Sequence, residues 1–215
     1  MRVLKKEHAC LVLTNDDESL VIDPGNQTSE FEVEHLTAIV ITHAHPDHWE
    51  AAHLTRLQQA HPDAPIYAPE GVVEAANGFD ITVVRPGEEV TIGAFTLRFF
   101  GGKHAVIHPS IPVIDNVGVL VNRTLYYPGD SYALPFEPVE VLATPAGAPW
   151  LKVSEVMDFV MAVRPKQTFA THVGTLSEMG LGFANDRIRG AVEEVGGTHR
   201  LVTAGDSFDV AERAA

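Results

Sequence analysis

The order of apolar and polar positions predicts alternating strands and helices in the first third of the chain. Apolar runs at 11–13 and 20–22 flank a polar turn, which predicts a hairpin ending at Asp23-Pro24-Gly25. The continuous apolar run 38–41 is typical of a strand buried on both faces. Ala51, Leu54 and Leu57 then have near-helical spacing. A strand at 66–68, a helix at 70–77 and a strand at 81–84 follow.

The remaining sequence predicts two hairpins and then a return to alternation. Period-two patterns at 90–99 and 117–127 indicate half-exposed hairpins. Strands at 139–143, 168–170 and 201–203 then alternate with helices at 154–163 and 185–195, each of which has one apolar stripe. Two sets of strands, each with helices that need a sheet face to cover, predict a single α/β domain over 1–215. The expected architecture is a four-layer αββα sandwich of two mixed β-sheets with helices on the outer faces.

Composition narrows the classes of function. A net charge of −14 disfavours nucleic-acid binding, which depends on Lys and Arg neutralising phosphates. No apolar run reaches the roughly 20 residues that span a bilayer, and the start of the chain has no signal-peptide pattern, so we expect a cytoplasmic protein without membrane contact. Cys10, the one cysteine, is interpreted as a small core residue. The sequence leaves a homo-oligomer open.

The segment His43-Ala44-His45-Pro46-Asp47-His48 places three imidazoles and a carboxylate at the end of the buried strand 38–41. Residues i and i+2 of an extended segment face the same side, so His43 and His45 can reach one cation. We expect Asp47 and His48, in the first turn of the following helix, to face a second cation. This donor set suits zinc, with manganese or iron as alternatives.

Further candidate ligands each follow a predicted strand, and the carboxyl ends of such strands converge on one edge of a sheet. They are Asp23, His104, Asp130 and His172. A lone histidine after a strand is more often a solvated loop residue, but placement together with the six-residue segment favours ligation. The histidines that lie away from predicted strand ends are interpreted as surface residues: His8, His35, His53, His61 and His199.

The His-x-His-x-Asp-His segment resembles the signature of the metallo-β-lactamase superfamily. Accessory motifs appear in the order that the family uses: 21–25, 101–105, 115–118, 127–130 and 170–172. The Gly-x-x-His form is similar to the branch of L-ascorbate-6-phosphate lactonase-like hydrolases. Trp49-Glu50 departs from the small residue and glycine that usually follow His48 in the family. This departure predicts an altered helix entry or pocket rim.

The resemblance implies a role for each candidate ligand. His43, His45 and His104 would hold a first divalent metal ion, Asp47, His48 and His172 a second, and Asp130 would bridge them. Asp23 would not bind a metal ion itself but would orient one of the metal ligands. Asp47 and Asp130 are the residues expected to be catalytic.

A dinuclear site predicts hydrolysis, because two cations lower the pKa of a bridging water, and the resulting hydroxide can attack an ester. The expected substrate is a small, anionic molecule, either a lactone or a phosphodiester. Pocket candidates are Lys103, Lys152, His108, Tyr132 and Trp150. The alternative is a non-enzymatic metal or ligand sensor, which the complete ligand set disfavours. A flavo-iron oxygen reductase is also disfavoured, because no flavodoxin-like segment follows.

Overall fold

The computed structural model describes residues 1–211. Its strands are β1 (Arg2–Lys5), β2 (Leu11–Asn15), β3 (Glu18–Ile22), β4 (Leu36–Val40), β5 (Ile66–Ala68), β6 (Ile81–Val83), β7 (Glu89–Ile92), β8 (Phe95–Lys103), β9 (Asp115–Val121), β10 (Leu125–Tyr127), β11 (Val141–Pro145), β12 (Gln167–Thr171), β13 (Thr198–His199) and β14 (Ser207–Asp209). Its helices are α1 (Ala51–Ala60), α2 (Glu70–Ala75), α3 (Val153–Val163) and α4 (Glu178–Glu194).

The strands form two seven-stranded mixed sheets. The first has the order β14-β1-β2-β3-β4-β5-β6 and the second β13-β12-β11-β10-β9-β8-β7. A shared apolar core joins the two sheets and contains Leu20 and Val40 from the first and Phe99 and Phe169 from the second. The predicted pair of mixed, face-to-face sheets is therefore confirmed.

The helices cover the outer faces of the sheets through their apolar stripes. On the first sheet, Leu54 of α1 and Val72 of α2 join a cluster with Ile39. On the second, Val160 of α3 and Ile188 of α4 pack in a separate cluster. The burial of these stripes confirms the four-layer αββα arrangement, because each amphipathic helix removes its apolar side from water against a sheet face.

Three predictions about the elements were wrong. Residues 201–203 form no strand, whereas three strands that were not predicted, β1, β13 and β14, are present. Strands β13 and β14 each form one edge of a sheet, and β1 lies between β14 and β2. Helix α4 begins at Glu178, seven residues early, because the Ser177 hydroxyl caps it by accepting from the backbone N–H of Gly180. Asp47 and His48 lie in a turn before α1, which begins only at Ala51, rather than in its first turn.

The strand directions bring the chemically active loops together. Strands β1, β3 and β4 run parallel to one another in the first sheet, as do β8, β10, β11 and β12 in the second. The two edges formed by their carboxyl ends meet, since the Val117 N–H donates to the Thr42 carbonyl and the His172 N–H to the His8 carbonyl, each over 2.9 Å. Within residues 1–211, no helix is both long and apolar enough to cross a membrane.

Candidate metal centre

A first group of imidazoles collects at the end of β4. His43, His45 and His104 each offer a ring nitrogen, and these nitrogens lie within 4.8 Å of one another. Nε2 of His43 lies 3.1 Å from Nδ1 of His45. His43 and His104 are buried, whereas His45 is partly exposed. Three converging imidazole nitrogens with one accessible side are a suitable donor set for a divalent cation.

A second group lies beside the first and contains Asp47, His48 and His172. Oδ2 of Asp47 is 3.3 Å from Nε2 of His172 and 3.9 Å from Nε2 of His48. His8 also belongs to this group, because its Nε2 is 3.0 Å from the same carboxylate oxygen. The prediction that His8 is a surface histidine was therefore wrong, and its side chain is almost completely buried.

Asp130 lies between the two groups. Its Oδ1 is 3.2 Å from His48 Nε2, and its Oδ2 is 3.1 Å from His172 Nε2 and 3.4 Å from His104 Nε2. The backbone turn that precedes Asp130 requires glycine at position 129. Gly129 has a φ of +61°, and a Cβ there would collide with the Asn116 amide. Asn116 Oδ1 in turn accepts from the Asp130 N–H over 3.0 Å. This support was not predicted, although Asn116 belongs to one of the quoted motifs.

Asp23 lies behind the cluster and orients two of its histidines. Its Oδ2 accepts from Nδ1 of His48 over 2.6 Å, and its carboxylate also accepts from the Thr42 N–H and hydroxyl. Because the Thr42 hydroxyl hydrogen points to Asp23, the Thr42 oxygen can only accept from Nδ1 of His43, 3.0 Å away. Both histidines therefore present Nε2 to the other candidate ligands.

His104 and His172 are oriented by backbone carbonyls instead. Nδ1 of His104 donates to the Ala105 carbonyl over 2.6 Å, and Nδ1 of His172 donates to the Gly147 carbonyl over 2.7 Å. With Nδ1 occupied as a donor, each neutral ring has its lone pair on Nε2. Outer hydrogen bonds of this kind are typical of histidines that bind metals.

Several buried nitrogen and oxygen atoms of the candidate ligands have no hydrogen-bond partner among the described residues. They are Nε2 of His48, His104 and His172, and Oδ1 of Asp130. Leaving a buried polar atom unsatisfied costs about 1–3 kcal/mol, so four of them within one cluster of candidate ligands require an explanation. Cations coordinated by these atoms would satisfy all four. The residues present therefore fit a metal centre.

The charges in the cluster shift the pKa values of its members in opposite directions. Burial lowers the pKa of His48, but Asp130 and Asp23 outweigh burial and raise it well above its usual value. For His172 the nearby carboxylates of Asp130 and Asp47 likewise outweigh burial and raise the pKa to about 9. Burial opposes ionisation of Asp130, yet the neighbouring histidines hold its pKa well below the usual range. In His43 burial dominates and lowers the pKa.

The other pocket candidates have different positions. The Trp150 indole is buried and donates to Asp130 Oδ2, and Tyr132 packs against it with ring centroids 5.3 Å apart. Lys103 is exposed and pairs with Asp115 over 2.7 Å. Lys152 and His108 are exposed as well.

The other histidines that were predicted to lie on the surface differ in their burial. His53 is buried with Nε2 on the Thr28 carbonyl, so that prediction was wrong, while His35 is exposed as expected. His61 and His199 are partly buried. Cys10 is buried, as predicted.

Comparison with known proteins agrees with this architecture. The chain is 39% identical over 187 residues to Protein Rv0786c of Mycobacterium tuberculosis, a match that covers 84% of this chain and 88% of the relative. It is 27% identical over 184 residues to a UPF0173 protein of Pyrococcus abyssi, covering 81% and 84% of the two chains.

Among solved structures, a metallo hydrolase from Ignicoccus hospitalis has the same fold, with a TM-score of 0.71 at 15% identity over 98% of this chain and 99% of that one. The family model described as the beta-lactamase superfamily domain matches residues 2–172, a span that contains every candidate ligand. The chain therefore belongs to the metallo-β-lactamase superfamily.

Proposed function

We propose that this chain is a metal-dependent hydrolase that holds two divalent cations and cleaves a small ester. The observation that carries the proposal is the position of Asp130, whose two carboxylate oxygens face ring nitrogens from both groups of candidate ligands. A carboxylate so placed can bridge two ions. The buried, unpartnered Nε2 atoms around it support the same conclusion.

The proposed ligand sets follow the two groups. The first ion would be held by His43, His45 and His104, and the second by Asp47, His48 and His172, with Asp130 shared. Nitrogen donors dominate, which favours zinc, while the two carboxylates leave manganese or iron as alternatives. Elemental analysis of the purified protein decides among these metals.

When bound, two such metal ions would supply Lewis acidity and lower the pKa of a shared water towards neutrality. The protein contributes orientation. Asp23 and the carbonyls of Ala105 and Gly147 hold the imidazoles with Nε2 directed inward, so no rearrangement is needed when charge develops during ester cleavage. Trp150 holds Asp130 by donating to Oδ2.

An open cavity of about 480 Å³ adjoins this region and suits a small substrate. Its wall includes Trp150, together with Ala105 and Ser131, the neighbours of His104 and Asp130 in the sequence. Lys103 also lines the cavity, but its ammonium group pairs with Asp115, so binding a substrate anion would require that pair to open. An anionic substrate would otherwise depend on the charge of the cations themselves.

The two ester classes are separated by one assay on metal-reconstituted protein. Acid release from lactones with little turnover of bis(p-nitrophenyl) phosphate would support a lactonase and the lactonase-like branch. Turnover of bis(p-nitrophenyl) phosphate with little acid release from lactones would support a phosphodiesterase. Thioesters and β-lactams complete the panel. The same preparation stripped with a chelator is the control and should be inactive. Background rates on every ester with both ions bound would contradict the proposal and support a metal or ligand sensor.

A further inference from the structure

His8 contacts the second ligand group from a loop that no motif singled out. The loop joins β1 to β2 and is closed by backbone hydrogen bonds from Lys6 to Cys10 and from Cys10 to Glu7. The His8 imidazole lies 4.0 Å from the His172 ring, measured between centroids, and its Nε2 is 3.0 Å from Asp47 Oδ2. An otherwise local loop of the first sheet therefore touches two candidate ligands.

The hydrogen bonds of His8 determine which of its nitrogens carries the proton. The backbone N–H of Gly174 donates to Nδ1 over 2.9 Å, so Nδ1 accepts and carries no hydrogen. The hydrogen of the neutral ring is therefore on Nε2, where it faces the Asp47 carboxylate, which can only accept. His8 thus donates to Asp47.

The backbone of His8 also forms a hydrogen bond with His172, another candidate ligand of the second group. The carbonyl of His8 accepts from the N–H of His172 over 2.9 Å. Gly174 completes the contact, since a Cβ at that position would come within 2.9 Å of Nδ1 of His8 and leave no room for a side chain. His8 therefore links Asp47, at the end of the first sheet, with His172, at the end of the second.

We infer that His8 is a positioning residue of the proposed second metal site, which fixes Asp47 by donating from Nε2 and is not itself a ligand. The inference rests on the proposed function, because it concerns the same ion. Donation from His8 occupies one lone pair of Oδ2 and leaves the others of the Asp47 carboxylate for a cation. Ligation by His8 would need a lone pair on Nε2, and Gly174 excludes this in the neutral ring by requiring the lone pair on Nδ1.

Two amide substitutions separate the two contacts of the ring. The amide nitrogen of a glutamine can occupy the position of Nε2, so His8→Gln retains a donor for Asp47. An asparagine oxygen can occupy the position of Nδ1, so His8→Asn retains an acceptor for Gly174 but loses the donor. His35 is a matched control, because it is exposed and has a φ of +50° against +52° for His8, so His35→Asn and His35→Gln report the backbone effect alone.

The measurement is the affinity of each protein for Zn²⁺ at both sites, by competition with a chromophoric chelator, independent of any ester assay. We expect His8→Asn to weaken the second ion about 10- to 100-fold and His8→Gln to weaken it only a few-fold, with the first ion unchanged. The reverse order, or two variants that bind like wild type, would overturn the inference. Equal loss in both would do so too, because it indicates ligation.

A second measurement uses the wild-type protein and so does not depend on the folding of a variant. Long-range ¹H–¹⁵N correlation spectra of the zinc-loaded protein report the tautomer of each histidine. We expect His8 to carry hydrogen on Nε2 with a free Nδ1, and a zinc-bound Nε2 would overturn the inference. Tight zinc binding with this pattern but no ester hydrolysis would leave the inference standing and remove the proposed function.

Discussion

The indole N–H of Trp150 donates to Oδ2 of Asp130 over 2.7 Å, and both side chains are buried. The contact leaves Oδ1 of Asp130 without a hydrogen-bond partner among the described residues. A bridging carboxylate must keep its orientation while the charge around it changes. Trp150 therefore contacts the proposed metal centre through Asp130, in addition to lining the adjacent cavity.

Trp150→Phe removes this donor but keeps an aromatic ring against Tyr132. We expect kcat/KM to fall about 10- to 100-fold in the zinc-loaded protein, measured with the ester of the panel that the wild-type protein hydrolyses. Tyr126→Phe is the control, because it deletes a hydrogen bond of the same 2.7 Å length, to the Ala133 carbonyl, without touching a ligand. An equal loss in both variants would show that Trp150 contributes only stability.

Asp47→Ala should abolish turnover while the circular dichroism spectrum and the cooperative unfolding transition persist. The side chain is a quarter exposed and belongs to no apolar cluster, so its loss removes a proposed ligand without opening a cavity in the core. Asp186→Ala is the matched control, since Asp186 is an exposed carboxylate that pairs with Arg189 of the same helix over 2.9 Å. Normal turnover by Asp47→Ala would count against the proposed mechanism.

Asp23→Asn should weaken both stability and zinc binding. Both oxygens of the buried carboxylate accept hydrogen bonds, from the Thr42 N–H, the Thr42 hydroxyl and His48. Asparagine replaces one of these oxygens by an NH₂ group, which would face a hydrogen-bond donor. We expect the free energy of unfolding in urea to fall by about 1–3 kcal/mol. We also expect zinc affinity to fall about 10- to 100-fold. Asp209→Asn, on an exposed position of β14, should change neither quantity.

Zinc binding to chelator-treated protein should release protons at pH 7.5. The pKa of His172 is raised to about 9, so its ring is protonated at this pH, and the raised pKa of His48 favours the protonated ring there as well. Coordination requires unprotonated nitrogen, so we expect the release of roughly one to two protons per protein. His43 and His45, whose pKa values are lowered by burial, contribute none.

Calorimetric titrations in two buffers with different ionisation enthalpies measure this release. Because the relevant pKa values are raised, the number of protons released should decrease as the pH rises through about 9. Titrations whose enthalpies agree in the two buffers at pH 7.5 would show that no proton leaves and would contradict the assigned charge states.

The sequence by itself determined the elements whose stability comes from local pattern, such as the hairpin of β2 and β3, the short strand β5 and the stripe of α3. It also indicated the ligand cluster, because the residues from His43 to His48 are adjacent and the other candidates follow apolar strands. The start of α4 was missed, since Met179 and Phe183 in its first turns are exposed and add no apolar stripe.

Only the tertiary structure decided the contacts between distant parts of the chain. Strand β1 has only four residues and lies between β2, its neighbour in sequence, and the distant β14, which it meets through Val3 and Phe208. Half of its pairing therefore comes from the other end of the described chain, and without β1 the sequence did not show that His8 follows a strand. The tautomer of His8 depends on Gly174, and the orientation of Asp130 on Asn116 and Trp150. Hydrogen bonds act over about 3 Å in space whatever the separation along the chain, and residue pattern carries no record of which distant groups the fold brings within that range.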